Sequence, residues 1–141
     1  MSKNILIPID LNTADTTAIK PLGEAINMLD GGVLHMITVI PEFGMAQVSG
    51  FFRAGYEKDM LKAFGDKLTE WVNTHVPDNV EVRPHVVHGT VYDEILRAAE
   101  KLNVDLIVMS AHRPDLSDYL LGPNAARVVR HAKQSVYVVR N

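Results

Sequence analysis

An α/β fold, a parallel sheet covered by helices on both faces, is predicted from three features of this 141-residue chain. Short apolar, β-branched runs alternate with longer stretches of helical periodicity, giving the order β-α-β-α-β-α-β-α-β that right-handed crossovers turn into a parallel sheet. The runs Ile5–Ile9, Val33–Ile40 and Leu106–Met109 are almost continuously apolar, as strands buried on both faces must be. No internal repeat or linker divides the chain, so residues 1–141 read as one domain.

Each element follows from local chemistry. After Ile5–Ile9, Asn12 or Thr13 can cap a helix reaching to about Met28, with Ala18, Leu22, Ala25, Ile26 and Leu29 on one stripe. Pro21 is expected to kink that helix or mark its true start, and Gly31-Gly32 to end it. The second strand, Val33–Ile40, leads into a long connection from Glu42 to Tyr56 that mixes Gly44, Gly50 and Gly55 with Phe43, Met45, Phe51 and Phe52. Loops of that length in compact domains are usually functional or disordered. A helix from Glu57 to about His75 carries Met60, Leu61, Phe64, Leu68, Trp71 and Val72 on one face, and Pro77-Asp78-Asn79 breaks it. Val80–Val87 alternates like a strand with one wetter face, and Pro84 inside it points to a sheet edge. Thr90 and Asp93 offer a start resembling a capping box for a helix over Val91–Leu102. Leu106–Met109 is the fourth strand, followed by a polar loop from Ser110 to Asp118. Gly122-Pro123-Asn124 opens a helix ending near Ala132, with Pro123 suited to its first turn, and Ser135–Arg140 is the last strand.

Composition narrows the chemistry. The chain has no cysteine, which excludes disulfides, iron–sulfur ligation and a thiol nucleophile. A net charge of −3 provides no electrostatic reason to expect nucleic acid or an anionic membrane surface, so a bound anion has to be gripped locally. The first ten residues lack a signal-peptide core, and no 18-residue apolar run is present, so the cytoplasm is the expected compartment.

Ligands of open parallel sheets sit beyond the carboxyl ends of the strands, where strand order reverses. The residues there are Asp10, the Val39-Ile40 end of the second strand, His88-Gly89-Thr90, Ser110 to Arg113, and Gly122-Pro123-Asn124. They combine a carboxylate, a strand end able to hydrogen-bond a base, and helix amino termini that attract phosphate.

Pro8-Ile9-Asp10, Thr38-Val39-Ile40-Pro41, the run from Val108 to Asp115, Leu120 to Ala126 and Val128 to Ala132 together resemble the universal stress protein family, most specifically in the last third. The resemblance spans the whole chain. It implies the adenine nucleotide alpha hydrolase-like fold, a three-layer open sheet of five parallel strands in the order 3-2-1-4-5. It also implies ATP or AMP, with or without magnesium, bound at the strand carboxyl ends, and a homodimer formed through the last strand. Carried over by position, Pro8 and Asp10 approach the adenosine, the Val39 backbone meets the adenine edge, and Met109 and Ser110 pack near the ribose. Gly89, His112, Arg113, Gly122, Pro123 and Asn124 complete the nucleotide-binding set, the last four around the phosphates. Where nucleotide-binding members have Gly, two residues, Gly, nine residues and Gly-Ser or Gly-Thr, this chain has Ser110, Arg113, an eight-residue spacer and Gly122-Pro123. Side chains replace bare backbone and Pro123 removes a donor, whereas Arg113 offers a charge-assisted contact in exchange.

Plainer roles stand beside these. Asp10 could cap the first helix, and His112, with no partnered nucleophile, reads as a loop-ordering residue rather than a catalytic one. His85 and His88 fall on opposite faces of a strand, so they do not share a metal; His35 and Trp71 read as core or flanking residues, and Glu57-Lys58-Asp59 as a solvated helix start. Met45 with Phe51-Phe52 could be a lid, a dimer contact or packing. In the order 3-2-1-4-5 the last strand is an apolar edge, and Val136, Tyr137, Val138 and Val139 are expected to meet a second copy. The function expected is a dimeric, nucleotide-binding stress regulator with at most weak ATP hydrolysis and a possible protein partner. The alternative is a dimeric adaptor of the same fold that binds no nucleotide.

Overall fold

A computed structural model describes residues 3–41, 56–111 and 121–140. The expectations for Met45, Phe51 and Phe52, and for His112 and Arg113, lie outside the described residues. In chain order the elements are β1 (Asn4–Pro8), α1 (Ala14–Thr17), α2 (Ile19–Met28), β2 (Val33–Pro41), α3 (Tyr56–His75), β3 (Glu81–Gly89), α4 (Val91–Lys101), β4 (Leu106–Ser110), α5 (Pro123–His131) and β5 (Ser135–Val139). The five strands form one parallel sheet in the order β3-β2-β1-β4-β5, the α/β architecture that the sequence predicts.

Strand alternation divides the core into two layers. Ile5, Ile7, Leu34, Met36, Val108 and Val139 face α1, α2 and α3, where Ala14, Leu22, Ala25, Leu68 and Val72 cover them. Leu6, Ile37, Ile107 and Met109 face α4 and α5, meeting Ile95, Ala99, Ala125 and Val128.

Two expected helix starts differ in the structure. The first helix is not one piece, because Ala18 separates the four-residue α1 from α2. Pro21 explains the break: its ring crowds the carbonyl of Thr17 and it has no N–H to donate there, so regular helix resumes only from Ile19. At the start of α4, Thr90 occupies the N-cap with extended backbone, but its side chain makes no capping hydrogen bond. Asp93 and Glu94 act there through their charge in the first turn instead.

His35, 5% exposed on β2, meets His85 of β3, with Nδ1 and Nε2 3.0 Å apart and the rings stacked at 5.2 Å. A single proton bridges the two nitrogens, so the arrangement suits neutral imidazoles. Burial is the first cause that lowers both pKa values from the ordinary 6.5; His85 and Arg83 then oppose charge on His35, where Glu81 partly offsets them, and Arg83 and Lys101 oppose it on His85. Between 6.5 and the lower folded values the unfolded chain holds more protons than the folded one. Stability is therefore complete above pH 6.5 and declines as pH falls below it. Urea denaturation at pH 7.5 and 5.5 is expected to show that decline, and the double variant His35→Leu/His85→Leu to lose most of it; equal slopes for the two proteins would refute the assignment.

Candidate functional site

A cleft of about 380 Å³ opens at the carboxyl ends of β1 and β4, within the size range of small-molecule sites. Its place follows from topology. From β1 the sheet extends through β2 to one side and through β4 to the other, and the diverging connections leave a crevice at that switch point.

Six residues singled out from the sequence converge on this cleft: Pro8 and Asp10 after β1, Val39 of β2, Met109 and Ser110 at the end of β4, and Asn124 in the first turn of α5. Gly89, Gly122 and Pro123 are not among its lining residues. Gly89 shapes the turn into α4: its φ of +150° is unfavourable for side-chain-bearing residues, and a Cβ there would stand 3.0 Å from the Glu94 side chain. Gly122 is the extended N-cap of α5 and Pro123 fills its first position, as the sequence suggests.

Asp10 has both roles weighed from the sequence. Its Oδ1 accepts the Asn12 N–H at 3.0 Å and its carbonyl accepts from Thr13, which fixes the turn before α1, while the residue itself lines the cleft. The turn occupies one carboxylate oxygen and leaves another to accept hydrogen bonds at the rim. Among the described residues that line the cleft, Asp10 is the one that carries a charge.

Thr13, Thr17, Pro21, Thr38, Phe64, Val91 and Ile95 also line the cleft, and strand-end reasoning did not find them. Thr13 and Thr17 were detectable as an i, i+4 pair of hydroxyls, here 3.1 Å apart, with Thr17 also donating to the Thr13 carbonyl. Phe64 comes from α3 and has no local signal distinguishing it from the rest of its apolar face. No cluster of three or more potential metal ligands exists among the described residues.

The model of the universal stress protein family matches residues 1–140. The chain belongs to the universal stress protein family. A similar relative, universal stress protein G of Escherichia coli O157:H7, is 31% identical over 99% of this chain and all of its own. The solved structure of the Methanocaldococcus jannaschii universal stress protein matches with a TM-score of 0.78 at 28% identity, covering 100% of this chain and 97% of the other. An Archaeoglobus fulgidus family member in complex with dAMP has the same fold, with a TM-score of 0.66 at 16% identity over 98% of each chain.

Proposed function

We propose that this family member binds an adenine nucleotide, ATP or AMP, in the cleft and acts as a homodimeric, cytoplasmic stress-response regulator. The convergence of Pro8, Asp10, Val39, Met109, Ser110 and Asn124 at the β1/β4 switch point carries this reading. The dAMP complex of the Archaeoglobus fulgidus relative supports it. In this reading Pro8 and Asp10 flank the adenosine, the Val39 backbone pairs with the base, and Met109 and Ser110 pack on the ribose. His112, Arg113 and Asn124 face the phosphates beside Gly122 and Pro123, and Gly89 shapes the turn into α4. Magnesium enters with ATP, held by the phosphates. The role proposed is binding, with at most weak hydrolysis.

A second reading, a dimeric adaptor without nucleotide, is favoured by Pro123, which removes one N–H from the start of α5. Calorimetric titration with ATP and AMP in the presence of magnesium separates the two. Saturable heat is expected from the wild type, with affinity at least about tenfold weaker in Asp10→Ala, the order of a lost hydrogen bond to a charged acceptor. A wild type silent at millimolar nucleotide would reject nucleotide binding and leave the adaptor.

A further inference from the structure

Two elements far apart in the chain supply walls of the cleft. Thr13 and Thr17, at the two ends of α1, line it, and so does Phe64 of α3. Away from the cleft the same elements are tied together: the Trp71 indole N–H donates to Asp15 Oδ1 at 3.0 Å. Trp71 stands seven residues after Phe64, two turns along the apolar face of α3, with the fully buried Leu68 between them. Asp15 lies midway between Thr13 and Thr17. Its side chain is 83% exposed, so it contributes little packing and acts through this hydrogen bond.

His75 aims the donor. Its ring stacks on the indole with centroids 4.2 Å apart, and its Nδ1 lies 3.0 Å from the Trp71 carbonyl. A carbonyl only accepts, so Nδ1 carries the proton there, while Nε2 lies 3.9 Å from the Asp15 oxygen that the indole reaches. With the indole fixed between this ring and the core, little rotamer freedom is lost when Asp15 accepts from it. On the other side, α1 is a single turn of four residues, too short to hold its place without neighbours. It follows directly on the turn of Asp10, Asn12 and Thr13 at the cleft, so a shift of α1 carries that rim with it.

We infer that Asp15 and Trp71 are positioning residues for the cleft: their hydrogen bond holds α1 against α3 and sets the spacing between the Thr13–Thr17 wall and Phe64. The inference rests on the nucleotide-binding reading above, although neither residue lines the cleft. When the tether opens, the binding-competent arrangement becomes a fraction of the population, and the apparent affinity falls by that fraction. The coupling is reciprocal, so a ligand that prefers the closed arrangement makes opening of the tether rarer.

The test uses Asp15→Ala, which removes the acceptor, Asp15→Asn, which keeps an acceptor oxygen, and Trp71→Phe, which removes the donor and keeps an aromatic ring. Calorimetry with AMP is expected to show about fivefold weaker binding for D15A, the order of one hydrogen bond, and less than about twofold change for D15N. W71F is also expected to weaken binding, and D15A added to it to cause no further loss, since the two residues share one bond. The chain has a single tryptophan, so Trp71 gives one indole N–H resonance. AMP is expected to slow the exchange of that proton with water at least about threefold in the wild type. A role confined to stability would lower the ligand-free melting temperature of D15A and leave AMP affinity and indole exchange unchanged, and that result overturns the inference. A D15A loss that persists in the W71F background overturns it too, by assigning Asp15 another partner. Should W71F not fold, the D15A and D15N affinities and the indole exchange decide. AMP bound equally by the wild type and D15A overturns this inference alone; a wild type that binds no AMP overturns the nucleotide reading and this inference with it.

Discussion

Gly32→Ala is expected to lower stability by about 3 kcal/mol or more, measured by chemical denaturation, from two backbone hydrogen bonds lost at roughly 1 kcal/mol each plus local strain. The physical cause is a backbone crossing. Lys3 donates to the Leu29 carbonyl at 3.1 Å and accepts from Val33 at 2.9 Å, tying the entry of β2 to the chain just before β1. A Cβ at Gly32 would fall on the Lys3 carbonyl, so the obstacle is backbone and not the movable end of a side chain. Two neighbouring glycines calibrate the result. Gly31 has open space around it but a φ of +79°, so its alanine variant should lose about 1–2 kcal/mol from conformation alone. Gly23 lies inside α2 with nothing within 4 Å of an added Cβ, so Gly23→Ala should gain up to about 1 kcal/mol. A Gly32→Ala variant no less stable than Gly31→Ala would refute the crossing argument.

Tyr137→Glu is expected to convert the proposed dimer into a monomer of 15.6 kDa in light scattering at micromolar concentration, with a dissociation constant raised at least about a hundredfold. β5 is an edge of the sheet, so its outer backbone groups are available to a second β5. The large apolar residues left exposed among the described ones are Ile19, Val129 and Tyr137. Tyr137 lies on β5 itself, and Ile19 precedes Lys20, whose ammonium donates to the Arg140 carbonyl at 2.7 Å just beyond that strand. Across a two-fold axis one substitution acts twice: it removes two apolar contacts and sets two carboxylates in one interface. Val139 is unsuitable for this test, because at 3% exposure its side chain belongs to the core and a charge there would unfold the chain. Val136 and Val138 are half-buried against the same subunit. A Tyr137→Glu protein that remains at twice the chain mass would overturn the proposed interface.

Much of the fold is legible in the sequence because its signals are local. The apolar run Ile5–Ile9 and the break at Gly31-Gly32 are composition and backbone chemistry, and Pro84 correctly places β3 at an edge, since a central strand cannot spare its N–H. The split at Ala18 was half legible: Pro21 announces an interruption, but the chain settles where it falls only when α1 packs Ala14 and Ala18 into the core. Trp71 reads correctly as an apolar-face residue, yet its indole N–H donates to Asp15 of α1 at 3.0 Å, a contact across 56 residues that no periodicity encodes.

By itself the sequence determines the fold class, the elements and the strand-end residues from which the cleft is built, since periodicity and turn chemistry act over a few residues. Only the tertiary structure decides which of them meet. Strand register, with Ile37 opposite His85, brings His35 to its partner, and the packing of α3 brings Phe64 to the cleft. Register and helix rotation are set by how two faces fill the space between them, a property of pairs of distant segments. For the same reason Thr38, a strand residue by its local pattern, joins the cleft lining only once the surrounding elements bury it.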